Sequence, residues 1–383
     1  MRCCLHILLW WLSILILDVF DVALADMAEE SIQLPTDGSS SRLFPVNPAY
    51  LRPKDMHAGM LGVRNHRATT LDHSLVGGTK IVATATDDFV GAALGLDLGA
   101  GAGAAIEHVV QYHLVESLID NRNPDKPIRE VSSRQQTSAK LVVELTAELR
   151  AAIVMRYLQQ RSVILGQPFL NQSRTTRYAP QMIGYGCGFT YAVKDMGIGY
   201  TYFPPLRGKA FVSGQDLIII EPGFIAVDGF LQRGDFSFGI LGKHWLVETD
   251  DLAIGSTASD NKTRISYYGL DPDQYIIRTQ LLMLGLDFAL NKDLALRLGV
   301  GQEQGHFDFR NLLVYDGAAV KQQGLDKIST NRGRVALHGA FKPAELDVGY
   351  GVFSRSFKFT DAEGGGTYKT IGQEMSAIVG VHF

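Results

Sequence analysis

The stretch Gln373-Glu374-Met375-Ser376-Ala377-Ile378-Val379-Gly380-Val381-His382-Phe383 decides the fold. A β-strand turns successive side chains to opposite faces, so its pattern repeats every two residues. Met375, Ala377, Val379, Val381 and Phe383 share one face. Glu374, Ser376, Gly380 and His382 share the other, with Ile378 as its apolar exception. The segment presents one greasy face and one mostly polar face, and an aromatic residue closes it.

The same unit recurs along the chain as hairpins with short polar turns. Lys80 to Ala85 turns at Thr86-Asp87-Asp88 into Phe89 to Leu98. Ser138 to Leu145 turns into Leu149 to Tyr157, and Met182 to Ala192 into Met196 to Tyr202. Leu217 to Phe230 is followed by Phe236 to Trp245, Ile276 to Leu290 by Leu294 to Gly301, and Arg332 to Phe341 by Leu346 to Phe353. The links between hairpins are longer and polar, as in Gln159–Ala179, Glu248–Asp273 and Glu303–Arg332. Short turns at one end and long loops at the other are the asymmetry of a bacterial outer-membrane barrel. Adding Met56–Val63 and Gln373–Phe383 to six hairpins brings the count to about 14, and single-chain bacterial barrels require an even number. The expected fold is all-β: a transmembrane antiparallel β-barrel. The strand ending in Phe383 resembles the C-terminal signal by which outer-membrane barrels are recognised, so Phe383 is expected to be read by the barrel-assembly machinery.

The two faces place lipid outside. Leu94, Leu96 and Leu98 oppose Gly95 and Asp97, and Leu282, Leu284, Leu286 and Phe288 oppose Gly285 and Asp287. Leu294, Leu296, Leu298 and Val300 oppose Arg297, while Val335, Leu337 and Phe341 oppose Arg334 and His338. A water-soluble barrel reverses this arrangement. A closed ring leaves no unpaired backbone in lipid. Tyr185, Tyr191, Tyr200, Tyr202 and Tyr350 fall on the apolar face as candidates for an aromatic girdle.

Residues 1–25 read as a signal peptide. Met1-Arg2 precedes an apolar run from Cys3 to Leu17, and Ala23-Leu24-Ala25 offers a cleavage site before Asp26. The competing reading is an anchor, but Asp18 and Asp21 interrupt the run before the roughly 20 residues a span needs. Other classes recede. A formal charge of −4 gives no footprint for nucleic acid. Cys187, the one cysteine of the mature chain, excludes an internal disulfide and Cys-x-x-Cys metal clusters. None of the histidines sits in a nucleophile motif, so the chain does not read as an enzyme, and no cofactor or metal site is expected.

Residues 26–55 lack alternation and read as an N-terminal plug segment before a barrel at 56–383. Within it, Asn47-Pro48-Ala49 stands just ahead of the first strand. An Asn-Pro-Ala tripeptide there, followed by about fourteen strands and a terminal Phe, resembles the long-chain fatty-acid transporter family, the FadL-type barrels. The resemblance implies a lumen plugged by an N-terminal hatch containing Asn47, Pro48 and Ala49. It further implies uptake of hydrophobic or amphiphilic small molecules across the outer membrane, with fatty-acid-like compounds as substrates. Two other readings stay open: a general diffusion porin, and a structural or adhesive surface barrel.

Between Gly99 and Gln136, Ile106, Val109, Val110, Leu114 and Leu118 recur at helical spacing. The stretch reads as a loop helix, either packed on the rim or forming a greasy groove for ligand. Gly99, Gly101 and Gly103 before it are either kink-forming or simple loop glycines. Parity sends Asp97, Glu144, Arg150, Arg156, Asp287, Arg297, Arg334, Asp347, Arg355 and Glu374 inward. Arg150, Arg156, Arg297 and Arg334 either pair with these acids and the plug or orient an anionic head group. Outer-membrane lipid and lipopolysaccharide are the expected surroundings.

Overall fold

A computed structural model describes residues 47–51, 57–73, 79–119, 128–165, 177–178, 181–212, 215–246, 276–308, 325–361 and 364–383. The strands are β1 (His57–His73), β2 (Thr79–Gly99), β3 (Ala102–Ile119), β4 (Ile128–Glu144), β5 (Leu149–Leu165), β6 (Arg177–Tyr178), β7 (Gln181–Val193), β8 (Met196–Phe203) and β9 (Leu206–Val212). They continue as β10 (Gln215–Glu221), β11 (Gly223–Arg233), β12 (Phe236–Leu246), β13 (Ile276–Ala289), β14 (Leu294–Asp308), β15 (Leu325–Phe341), β16 (Ala344–Asp361) and β17 (Gly364–His382). Fourteen of them, all but β6, β9 and β10, form a closed antiparallel ring. The seam joins β1 to β17 along all 17 residues of β1, from His57 opposite His382 to His73 opposite Gly366. Of the others, β6 pairs only with β5, and β9 and β10 make a separate hairpin between β8 and β11.

Short turns gather at one end of the ring. Asn291 and Thr146 shape two of them, their side-chain oxygens accepting from the N–H groups two and three residues on. Between β2 and β3, Gly99, Ala100 and Gly101 all have positive φ, which glycine adopts without a Cβ penalty. These glycines make a reverse turn, with a register shift between Asp97 and Gly99, and do not kink a strand. Gly103 lies within β3.

Three expectations about individual elements fail. Thr86-Asp87-Asp88 is not a turn; it lies mid-strand in β2, where Asp87 and Asp88 are buried by ion pairs to Arg67 and Arg64 of β1. Charges that look like a turn in sequence are paired across the ladder instead. The expected loop helix is the strand β3, and the described residues contain no α-helix. Ile106, Val110 and Leu114 turn outward, whereas Val109 is buried in the lumen beside Leu61 and Phe89. An apolar residue on the polar face breaks the alternation and mimics a spacing of three and four. Leu217–Phe230 is not one strand, because Pro222 separates β10 from β11. Splitting β2 and missing β3 compensate, which is why the count of fourteen survives.

The outer face is apolar near the turns and polar beyond. On β16, Leu346, Val348, Tyr350 and Val352 are exposed, followed outward by Ser354, Ser356 and Lys358. On β14, Leu298 and Val300 give way to Gln302 and Gln304. On β7 the apolar row runs from Ile183 to Tyr191. At about 3.3 Å per residue and a tilt near 40° it spans about 20 Å of height, close to the roughly 25 Å band of such barrels. Tyr191, Phe236, Phe288, Phe341 and Phe383 edge the band at the turn end. Strands of up to 21 residues, as in β2, therefore rise well beyond the bilayer on the side away from these turns. Leu298→Arg is expected to destabilise the barrel by about 2–4 kcal/mol and Gln302→Arg by at most about 1 kcal/mol, measured by denaturant titration in lipid vesicles.

Candidate functional site: the lumen and the segment Asn47 to Leu51

Asn47 to Leu51 is buried against the inner wall. Proline at the first helical position and an Asn N-cap nucleate a short 3-10 turn, Pro48–Tyr50, in which Asn47 Oδ1 accepts from Ala49 N at 3.0 Å. Asn47 Nδ2 donates to the Phe189 carbonyl at 3.0 Å and to Asp228 Oδ2 at 3.4 Å. The Tyr50 hydroxyl donates to the other oxygen of Asp228. Burial and the neighbouring Asp228 carboxylate push the Tyr50 phenol up, so it remains a donor. Thr190 Oγ1 donates to the Ala49 carbonyl at 3.3 Å, and Arg150 to the Tyr50 carbonyl at 3.4 Å. Ala49 and Leu51 pack on Ala105, Val142 and Ala152 of β3, β4 and β5.

Two glycines make room for this turn. A Cβ at Gly188 would collide with Asn47 and Pro48, and one at Gly199 with Asn47 and Asp228. Sequence reasoning located Asn47, Pro48 and Ala49 but missed Gly188, Gly199, Thr190 and Asp228. Parity places all four inside, yet nothing local announces a partner 141 to 181 residues away.

The four lumen arginines do not converge on one point. Arg297 donates to Asp287 at 3.0 Å and to Asp347 at 2.6 Å. Arg334 reaches Asp347 at 3.3 Å and Ser376 Oγ at 2.8 Å. Arg150 holds the Asn47–Leu51 segment, and Arg156 stacks 4.0 Å from the Phe203 ring centroid. Further along, Glu303 is shared by Arg278, Arg332 and Arg355. Arg278 faces inward because the ladder bulges between Arg278 and Gln280, which rotates its side chain across the sheet.

Among these charges lie apolar patches. Leu61, Val63, Phe89, Ala93, Val109 and Ile378 form one, which explains the apolar exception in β17. Ala226, Leu241, Trp245, Leu281 and Met283 form another, with Phe224 against it and Lys243 over the Phe224 and Trp245 rings. The base of the β9–β10 hairpin turns inward as well. Leu206 fills the space over Gly184 and packs on Leu158 and Met182, and Glu221 pairs with Arg134 of β4. Cys187 lies on the outer face between the exposed rings of Tyr185 and Phe189.

A fourteen-stranded transmembrane-type β-barrel with an N-terminal segment against its inner wall is a defined class. Its fold is that of the FadL-type barrels. The chain is similar to a Pseudomonas aeruginosa FadL homologue at TM-score 0.60 and 12% identity, covering 93% of this chain and 96% of that one. It is similar to the Pseudomonas putida toluene transporter TodX at TM-score 0.56 and 11% identity, covering 88% and 93%. The CymD monoaromatic hydrocarbon channel follows at TM-score 0.50 and 12% identity, covering 88% and 91%. No family model and no curated protein sequence matches the chain.

Gly188→Val is expected to dislodge the segment without opening the ring. In a Cys187→Ser background, Ala49→Cys should be protected from a hydrophilic maleimide, and labelled at least tenfold faster once Gly188→Val is added.

Proposed function

We propose that this chain is an outer-membrane channel for hydrophobic small molecules, in which residues 26–55 form a hatch inside the barrel. The carrying observation is the burial of Asn47 to Leu51 on the inner wall, tied to Asp228, Thr190 and Arg150. Apolar lumen patches beside paired charges support passage of greasy solutes, since a water-filled pore gains nothing from inward Leu61, Phe89 or Trp245. The similar folds include a FadL homologue and channels for toluene and monoaromatic hydrocarbons, so the ligand is a hydrocarbon-rich molecule, either a fatty-acid-like amphiphile or a neutral aromatic. Asp228 is the latch: it takes hydrogen bonds from both Asn47 and Tyr50. Export through a signal peptide at 1–25 and assembly directed by Phe383 complete this reading. Of the hatch, residues 26–46 and 52–55 lie outside the described residues, as do residues 1–25 and Glu248–Asp273, the stretch a surface-adhesion role would use.

A diffusion-porin reading draws on the inward β9–β10 base and the opposed charges around Asp347 and Glu303. Single-channel conductance in a planar bilayer separates the two. The full-length barrel is expected to be nearly silent, and deletion of residues 26–55 to open a steady conductance. Asp228→Ala should open it intermittently, with uptake of a radiolabelled hydrophobic solute changed in parallel. A large steady conductance in the full-length protein would establish the porin instead.

A further inference from the structure

Three lysines stand on the outer face of adjacent strands beyond the apolar band: Lys369 two residues past Ile371 on β17, Lys358 six past Val352 on β16 and Lys327 eight past Val335 on β15. Lys327, Lys358 and Lys369 are all exposed, on β15, β16 and β17. The ladders fix their spacing. Thr330 faces Arg355 where the described β15–β16 pairing ends, and Lys327 and Lys358 each lie three residues beyond that pair. Lys358 faces Thr367 and Lys369 faces Ser356, so these two lysines are diagonal neighbours on one face. Such a diagonal spans about 7–8 Å, within reach of long side chains, and like charges there repel. Exposed Ser329, Ser354, Ser356 and Thr367 surround them. Among the described residues of these strands and β1, the acidic side chain on this face is Asp72, opposite Thr367.

Below the lysines the same face turns greasy: Val335 and Leu337 on β15, Tyr350 and Val352 on β16, Ile371 and Met375 on β17. One ligand would have to satisfy both zones, with hydrocarbon against the lower face and negative charge against the upper. A soluble anion meets only the second requirement, and a neutral lipid only the first. Lys369, next to Ile371 along the outer face, suits the edge of the apolar band, where a lysine stem lies on apolar surface while the ammonium reaches the headgroup layer, and Lys358 and Lys327 stand farther into that layer. A phosphate between Lys358 and Lys369 converts their repulsion into two charge-assisted hydrogen bonds, with serine and threonine hydroxyls as further donors.

We propose that Lys327, Lys358 and Lys369 dock the phosphates of a phosphorylated glycolipid in the leaflet on the side of the barrel away from the short turns. The side of the membrane rests on the outer-membrane reading above; the contact itself does not depend on transport. The test uses the full-length protein refolded in a non-ionic detergent and native mass spectrometry, with bisphosphorylated lipid A and its dephosphorylated form as probes. Retention of the phosphorylated lipid is expected to exceed that of the other at least tenfold. Lys358→Gln/Lys369→Gln should abolish the difference, while Lys292→Gln in a turn at the opposite end leaves it intact. Heat-modifiable gel migration confirms that each variant is folded. Equal retention of the two lipids, an unchanged double variant, displacement of the lipid by millimolar inorganic phosphate, or a dimer lost in the double variant would each overturn the proposal. Failure here with a conductance switch still governed by residues 26–55 would leave the channel reading standing, and the reverse result would leave the lipid contact standing.

Discussion

The structure depends on the pairing of β1 with β17. In hydrocarbon no water is present to satisfy a backbone N–H or carbonyl, and each orphan costs several kcal/mol. A sheet with two free edges is therefore excluded from a bilayer, and only closure removes the edges. Here the first and last strands meet over the whole length of β1. Once that seam forms, every ring strand has two partners, and the alternation of side chains acquires a meaning. One face must suit lipid and the other must suit whatever fills the lumen.

The lumen solves its own problem in a mixed way. Its charges are matched locally across the ladders, as with Arg297 between Asp287 and Asp347, or Asp87 between Arg67 and His113. Breaking a buried pair by removing one partner is costly, about 3–5 kcal/mol, so these groups hold neighbouring strands in register. Between the charges lie neutral polar groups such as Thr190, Thr201 and Thr370, and apolar clusters that face inward without touching lipid. The two kinds of surface alternate around the wall, and the Asn47–Leu51 segment uses both, with Tyr50 and Asn47 on Asp228 and Leu51 on Ala105, Val142 and Ala152.

That segment is also where local chemistry and global topology meet. An Asn-Pro pair favours a capped turn through local bonds alone. Its seat needs glycine at 188 and 199 on adjacent strands, a hydroxyl at 190 and a carboxylate at 228. Such a seat exists only after β7, β8 and β11 have paired side by side.

The sequence by itself determined the fold class, because strand alternation is local and every hairpin carries it. Met375 to Phe383, Leu282 to Phe288 and Val335 to Phe341 each declare a lipid face within a few residues. Asn47, Pro48 and Ala49 stood out only by resemblance to a family motif, in a segment without alternation. Tertiary structure alone decided where the alternation misleads. Val109 broke the pattern because it joins Leu61 and Phe89 from other strands, and Asp87 and Asp88 resembled a turn because Arg67 and Arg64 were out of view. Tertiary structure alone also decided which lumen groups meet, joining Asp228 to Asn47 and Asp347 to both Arg297 and Arg334. Parity tells which face a residue occupies, but its partners across the ring depend on register and closure, and these are properties of the whole barrel.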